Sequence, residues 1–427
     1  MSGKRGNSEG SIYPVSNGYR AYVWITTPAG RRQRKYIFGK TREAVHEKWL
    51  KLHQEAARGP VAAKVPTVEG YITYWLGEVI EPNRAPLTHS TYETMCRLYI
   101  VPGLGKKRLD RLTVRDVQTW LTKLRNTCQC CAQGKDARRP EGRRKCCAVG
   151  QCCNSVLSPR TIRDLKTILR SALSNAITEE LISKNVAALT KVPSKRTRKT
   201  QAWGSDEARA FLESAREGSD PLYAAFVLVL VLGLRKGEAL GLGWEQVDLI
   251  NRTLFIEWQV QRVRRQLLRR ETKTEASDAG LPMPDVCVTA LQERRKHQRA
   301  QREAAGSAWA ASPGADLVFT GQYGTPVEPR TFNRAFTARC RKAGVRTITV
   351  HDARRTCATL LVDLDVHPRI IMQILRHAQF AVTMEIYAKA SSPATRDALR
   401  RLGDSLSSHR DGDGDDGAAG ARVPVPA

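Results

Sequence analysis

The sequence predicts a multidomain, mainly α-helical protein with small β elements, and three observations lead there. Strand-like runs dominate only the segment Ser11 to Arg58, whereas Thr67 to Lys191 carries apolar residues at helical spacing. A length of 427 residues suits two to four domains of roughly 100–200 residues each. Composition changes at a basic linker, 192–201, and again after Leu402, where an Asp/Gly/Ala/Pro-rich tail, 403–427, is expected to be disordered. Lys plus Arg number 70 against 42 Asp plus Glu, a net charge of +28, which points to a polyanion and most economically to nucleic acid. The longest apolar run, Leu222 to Leu232, falls short of the roughly 18–20 residues that span a bilayer, so no membrane helix is expected. Met1 to Gly10 is polar and lacks the apolar region of a secretory signal. A reducing cytoplasm is the expected location, and the 11 cysteines are expected to be thiols or metal ligands.

The first segment, 11–58, reads as a strand at Tyr19 to Ile25, a turn at Pro28 to Gly30 and a basic strand at Arg31 to Phe38. A helix follows, with Thr41 as its N-cap. Arg31, Arg32, Arg34 and Lys35 lie on or beside the second strand, where they could meet DNA as a sheet laid in a groove or simply remain solvated. In the second segment the apolar spacing predicts helices over Val68 to Ile80, Ser90 to Tyr99, Val114 to Leu124 and Ser158 to Ala176. The last opens with a Ser158 cap and Pro159 at the first helical position. Lys195, Arg196, Arg198 and Lys199 make the following linker a tether that could track a phosphate backbone, or an exposed hinge with incidental charge. The third segment, 202–402, begins with Ser205 as a helix cap and contains an apolar helix over Pro221 to Leu232.

Seven of the 11 cysteines crowd an insertion at 128–153: Cys128, Cys130, Cys131, Cys146, Cys147, Cys152 and Cys153. Fourteen residues separate Cys131 from Cys146 and four separate Cys147 from Cys152, spacings that could bring four thiolates to a tetrahedral zinc although no C-x-x-C knuckle is present. Lys135, Arg138, Arg139, Arg143, Arg144 and Lys145 lie between, so the two readings are a zinc-stapled basic finger adding DNA contacts and free thiols on a flexible loop.

Other chemistries find no support. Gly39-Lys40-Thr41 resembles the end of a phosphate-binding loop, but Arg34 stands where its first glycine is required. There is no H-E-x-x-H pair and no carboxylate spacing that compels a two-metal nuclease. Three clusters in the third segment remain. Arg235 and Glu238 share a helix face at i, i+3, as do His351 and Arg354, and Leu375-Arg376-His377 is followed ten residues later by Tyr387 on a helical stretch, Ala381 to Lys389. Singly, each has a plain explanation: a surface ion pair, a structural histidine, a core tyrosine.

Together and in this order they resemble the tyrosine recombinase (phage integrase) family. Gly233-Leu234-Arg235-Lys236-Gly237-Glu238 with Leu240 and Trp244 looks like the first family box, His351 to Tyr387 like the second, and Thr272 to Ser277 like the hairpin that bears the family lysine, here Lys273. The resemblance covers roughly Thr67 to Ala390. It implies a helical core-binding domain at 67–191 and a mixed α+β catalytic domain at 202–402, while 11–58 looks like the β-rich arm-type DNA-binding domain of many integrases. It further implies site-specific strand cleavage and rejoining with Arg235, Lys273, His351, Arg354, His377 and Tyr387 as catalytic residues, no catalytic cofactor, double-stranded attachment sites as substrate, and a homo-tetramer on DNA. Expected accessories are an excisionase or a host DNA-bending protein. The chain after Tyr387 would dock in trans on a neighbour. Two departures stand out: Arg376 replaces the usual glycine, and Asp278-Ala279-Gly280 replace basic residues after the hairpin lysine. A type IB topoisomerase-like enzyme and a catalytically decayed DNA-binding regulator are the rival readings.

Overall fold

A computed structural model of the chain describes residues 12–27, 30–59, 65–192, 202–272, 280–310, 316–376 and Met384. It divides into two compact units, residues 1–197 and 198–427.

The first unit opens with an antiparallel sheet, β1 (Tyr13–Val15), β2 (Gly18–Thr26) and β3 (Arg32–Gly39), in the order β1-β2-β3. Strand alternation in β2 puts Ala21, Val23 and Ile25 on the buried face, against Val45, Trp49 and Leu52 of α1 (Arg42–Arg58). Thr41 caps α1 as its sequence predicts, its hydroxyl accepting from the Ala44 N–H at 3.2 Å.

Four helical stretches then build a separate core around Trp75, Tyr71 and Trp120. The first runs from α2 (Val68–Tyr74) through a π-helical segment, Trp75–Ile80, into α3 (Glu81–Asn83). The second runs from α4 (Pro86–Met95) through a second π segment, Cys96–Ile100, into α5 (Val101–Leu104). Each widened segment ends two residues before a proline, Pro82 or Pro102. Proline has no N–H and crowds the carbonyl four residues back, which a wider turn moves aside. Proline also sets the start of the second stretch at Pro86, four residues before the expected Ser90, because its missing N–H costs nothing at a first helical position. α6 (Val114–Asn126) carries a full capping box between Thr113 and Asp116. The short α7 (Gln129–Ala132) lies in the Cys-rich insertion, and α8 (Pro159–Thr178) begins at the predicted Ser158 cap.

In the second unit, α9 (Ser205–Glu217) starts at Ser205 itself. Gly204 is the N-cap, its N–H donating to the Glu207 carboxylate at 3.2 Å, so Ser205 is the first helical residue and not the cap. α10 (Tyr223–Val231) is buried on nearly every side, which explains an apolar run without helical periodicity. α11 (Lys236–Gly241) follows. A small sheet in the order β4-β5-β8 is formed by β4 (Val247–Asp248), β5 (Thr253–Leu254) and β8 (Leu281–Pro282), and a hairpin by β6 (Trp258–Val263) and β7 (Gln266–Glu271). The remaining helices are α12 (Asp285–Ala305), α13 (Pro329–Lys342), α14 (Val350–Asp363) and α15 (Pro368–Leu375). Trp203, Phe211, Phe226, Phe332 and Phe336 interlock at the centre, with Trp203 and Phe336 stacked at 5.9 Å. Among the described residues no helix is long and apolar enough to cross a membrane. The basic linker residues, the expected Ala381 to Lys389 helix and the tail lie outside the described residues, Met384 excepted.

Candidate active site

Arg235 sits in extended backbone at the N-cap of α11, and Glu238 one turn on reaches back to it. The Glu238 carboxylate accepts from the Arg235 N–H at 2.8 Å and from its Nη1 at 2.6 Å. Glu238 is 4% exposed whereas the Arg235 side chain is 46% exposed, so the acid serves as a fixed clamp and the guanidinium keeps an open face. Burial pushes the Glu238 carboxyl up, but Arg376 and Arg235 outweigh it and hold the group below the usual carboxylate range.

Arg354 lies on α14, buried, and donates from Nη1 to the Gly233 carbonyl and from Nη2 to the Leu375 carbonyl. It thereby ties the turn before Arg235 to the end of α15. Gly233 has φ +62, and a Cβ there would stand 2.4 Å from Leu375 Cδ2, so only glycine fits this close approach. Burial, then the Arg235 charge, lowers the Arg354 guanidinium to about 9, still cationic at neutral pH. His351 stands exposed one turn earlier on α14, behind a Thr349–Asp352 capping box. Desolvation, then the Arg354 charge, holds its imidazole below the ordinary histidine range, which leaves it neutral and able to accept a proton at pH 7.

Arg235, His351 and Arg354 thus line one cleft of about 700 Å³, with Lys236, Asn333 and Thr337. Two guanidiniums beside a neutral imidazole suit a phosphodiester whose charge grows during reaction. Lys236 and Asn333, 3.2 Å apart, belong to this cleft although the motif reading singled out neither. Asn333 lies on α13, outside both family boxes, and carried no signal.

Arg376 answers the question its position raised. It holds the left-handed conformation, φ 50, as C-cap of α15, which is where glycine is ordinarily favoured. Its side chain turns inward, 4% exposed, and pairs with Glu238 at 2.8 Å while its carbonyl accepts from Arg235 Nη2 at 3.2 Å. Arg376 is therefore not among the described residues that line the cleft.

The β6–β7 hairpin packs on α11 through Gly241, where a Cβ would lie 2.6 Å from the Gln259 backbone. Its last described residue, Thr272, donates its N–H to the Glu257 carbonyl at 2.6 Å. Lys273, His377 and Tyr387 lie outside the described residues, as do Lys195, Arg196, Arg198 and Lys199.

On the N-terminal sheet, alternation divides the four basic candidates. Arg32 and Arg34 point away from α1, whereas Lys35 falls on the opposite face with Ile37, and Arg31 precedes the strand. The open face also carries Tyr22, Trp24, Tyr36 and Phe38, which the sequence reading passed over. Arg34 lies 4.9 Å from the Tyr22 and Trp24 rings, and Arg32 5.1 Å from Trp24. Counting every second residue in both strands would have found them.

In the Cys-rich insertion the sulfurs of Cys128, Cys131, Cys146 and Cys152 all lie within 4.8 Å of one another, a donor set compatible with structural zinc. The fully buried Asp136 holds the loop by accepting from the N–H groups of Lys145, Cys146 and Ala148 and from Arg139. Hydrogen bonding from the Cys131 N–H lowers the Cys128 thiol to about 6. Cys147 is exposed and belongs to no such group.

Residues 204–393 match the model of the phage integrase family, and residues 67–125 match that of the phage integrase N-terminal SAM-like domain; together they cover more than half of the chain. A XerC-like tyrosine recombinase of Caldanaerobacter subterraneus subsp. tengcongensis is 25% identical over 413 residues, 91% of this chain and 97% of the relative. An integrase of Streptomyces ambofaciens is 26% identical over 407 residues, 92% of this chain and 95% of the relative. The Tn1549 transposon integrase, solved in complex with circular intermediate DNA, shares the fold with a TM-score of 0.61 at 22% identity, over 79% of this chain and 99% of that one. The ordered boxes, the cleft that unites Arg235, His351 and Arg354, and these matches lead to one conclusion: the chain belongs to the phage integrase family of tyrosine recombinases, enzymes that cleave and rejoin DNA at specific sites.

Proposed function

We propose that this protein integrates or excises a mobile element, with Tyr387 as the nucleophile and Arg235, Lys273, His351, Arg354 and His377 as its catalytic partners. The observation that carries the reading is the meeting of Arg235, His351 and Arg354 at one cleft, from chain positions more than a hundred residues apart. Relatives named integrase along nearly the whole chain support the mobile-element part. Tyr387 Oη attacks the scissile phosphorus, the P–O5′ bond breaks and a 3′-phosphotyrosyl bond forms. His351 takes the tyrosine proton, because a phenol with a pKa near 10 is a poor nucleophile until it loses it. Lys273 gives a proton to the departing 5′-oxygen. Arg235 and Arg354 donate to the non-bridging oxygens, with His377 beside them, and loss of one such donor costs about 3–4 kcal/mol of barrier. The bond energy stays in the phosphotyrosine, so a 5′-hydroxyl can reverse the step without ATP.

The domain assignment belongs to the same reading: arm-type DNA binding by 11–58, core-site binding by 67–191, a linker at 192–201 and catalysis by 202–402. Arg31, Arg32, Arg34 and Lys35, with Lys195, Arg196, Arg198 and Lys199, would meet phosphates of double-stranded attachment sites. Four protomers would assemble on two duplexes, with an excisionase or a DNA-bending protein setting direction. In the insertion a structural zinc would be held by Cys128, Cys131, Cys146 and Cys152 beneath the exposed basic loop.

The test is covalent trapping on nicked suicide duplexes built from candidate element junctions, run with EDTA and resolved on denaturing gels. Wild type is expected to form an adduct that Tyr387→Phe does not, while both bind the duplex equally. Adducts from both proteins, or equal binding with no adduct from either, would overturn the assignment.

A further inference from the structure

The insertion brings together more sulfur than one zinc ion can use. Beside the group of Cys128, Cys131, Cys146 and Cys152 stands a second, Cys130, Cys146 and Cys153, whose sulfurs also lie within 4.8 Å of one another. Cys146 belongs to both. Sulfur separations are 3.4 Å for Cys131–Cys146, 3.8 Å for Cys131–Cys152, 4.0 Å for Cys128–Cys146 and 3.8 Å for Cys128–Cys153. Tetrahedral Zn–S bonds of about 2.3 Å place their sulfurs about 3.8 Å apart, whereas a disulfide needs about 2.05 Å.

The order of residues fits two centres better than one. Neighbouring side chains diverge, and two of the three adjacent pairs split accordingly: Cys131 and Cys152 enter the first group, Cys130 and Cys153 the second, while of the third pair only Cys146 takes part. Cys128 is grouped with the first set and not with the second, yet its sulfur lies 4.0 Å from Cys146 and 3.8 Å from Cys153, two members of the second, so a shift toward Cys130 would complete that set to four ligands. Cys146, which belongs to both groups, is fully buried. Its sulfur accepts from the Cys153 N–H at 3.2 Å, and its own N–H donates to Asp136 at 2.8 Å, so backbone and sulfur are both held in place.

We propose that the insertion holds two zinc ions in one six-cysteine cluster, with Cys128 and Cys146 as bridging thiolates, Cys131 and Cys152 terminal on one ion, and Cys130 and Cys153 terminal on the other. The proposal rests on the zinc reading above and doubles its stoichiometry. Each thiol loses its proton on binding, and two dications against six thiolates leave a charge of about −2. Arg139 stands beside this cluster, tied to it through Asp136 at 2.8 Å.

Metal content of the full-length protein, purified in reducing buffer with zinc and desalted, decides the matter. Two zinc ions per chain are expected for wild type and for Cys147→Ser, and one for the Cys130→Ser/Cys153→Ser double variant. Loaded with cadmium instead, wild type should give two ¹¹³Cd resonances. One ion in wild type would overturn the two-ion cluster and leave the single-zinc reading standing; none would overturn both. Because the wild-type count alone separates these outcomes, a variant that fails to fold does not blunt the test.

Discussion

Glu238 shows how a single buried charge organises the candidate site. It is the common partner of Arg235, which faces the cleft, and Arg376, which does not. An arginine in left-handed backbone costs about 1–2 kcal/mol, and once its charge is buried, removing its partner costs about 3–5 kcal/mol more because the charge is left uncompensated. Glu238→Ala is therefore expected to lose about 3–5 kcal/mol in a chemical denaturation of the full-length protein, since it strands the buried Arg376 charge. The pH dependence has a definite sign. A carboxyl held below its unfolded value stabilises the fold above that value, about 4.3, and the contribution fades as pH falls through the folded value. Wild type should accordingly lose stability more steeply than Glu238→Gln below about pH 4.3, and equal slopes would show that the pair contributes nothing.

At the scale of elements, the parts that carry the candidate catalytic residues are tied down by a few long-range anchors. Trp203 precedes α9, yet its N–H donates to Thr356 Oγ1 on α14 at 3.0 Å and its indole N–H to the Arg346 carbonyl at 2.8 Å. It fixes the helix of His351 and Arg354 against the start of the unit. Trp203→Ala is expected to cost about 3–5 kcal/mol, read as a shift in the denaturation midpoint; a shift below about 1 kcal/mol would mean that the aromatic cluster closes over the gap. Element types were legible because their signals are short-range. Thr41, Thr113 and Ser158 cap their helices within three residues. The start of α9 was misread by one residue because a glycine N-cap has no side chain to announce it; its signal is the N–H bond to Glu207. The π segments were invisible for a related reason, since periodicity does not distinguish a turn widened ahead of a proline.

For the whole molecule, a net charge of +28 predicts strong and salt-sensitive DNA binding. If the open face of the N-terminal sheet meets phosphates, replacing Arg32 and Arg34 together by alanine should flatten the dependence of log affinity on log salt by about 1.8 for arm-site duplexes, about 0.9 for each phosphate left unneutralised. An unchanged slope in a titration from low to moderate salt would remove that face from the interface. What the sequence determined by itself was the kind of protein: the basic balance lies in composition, the helical and β segments in short-range spacing, and the tyrosine-recombinase boxes in short motifs whose order along the chain can be read directly. The tertiary structure alone decided which side chains share a surface. It turned Arg376 inward onto Glu238, 138 residues away in the chain, brought Asn333 into the cleft and set Cys147 apart from the clustered sulfurs. The reason is physical: caps and periodicity act along the chain, whereas a buried charge takes whatever partner packing brings to it, and local pattern carries no record of that partner.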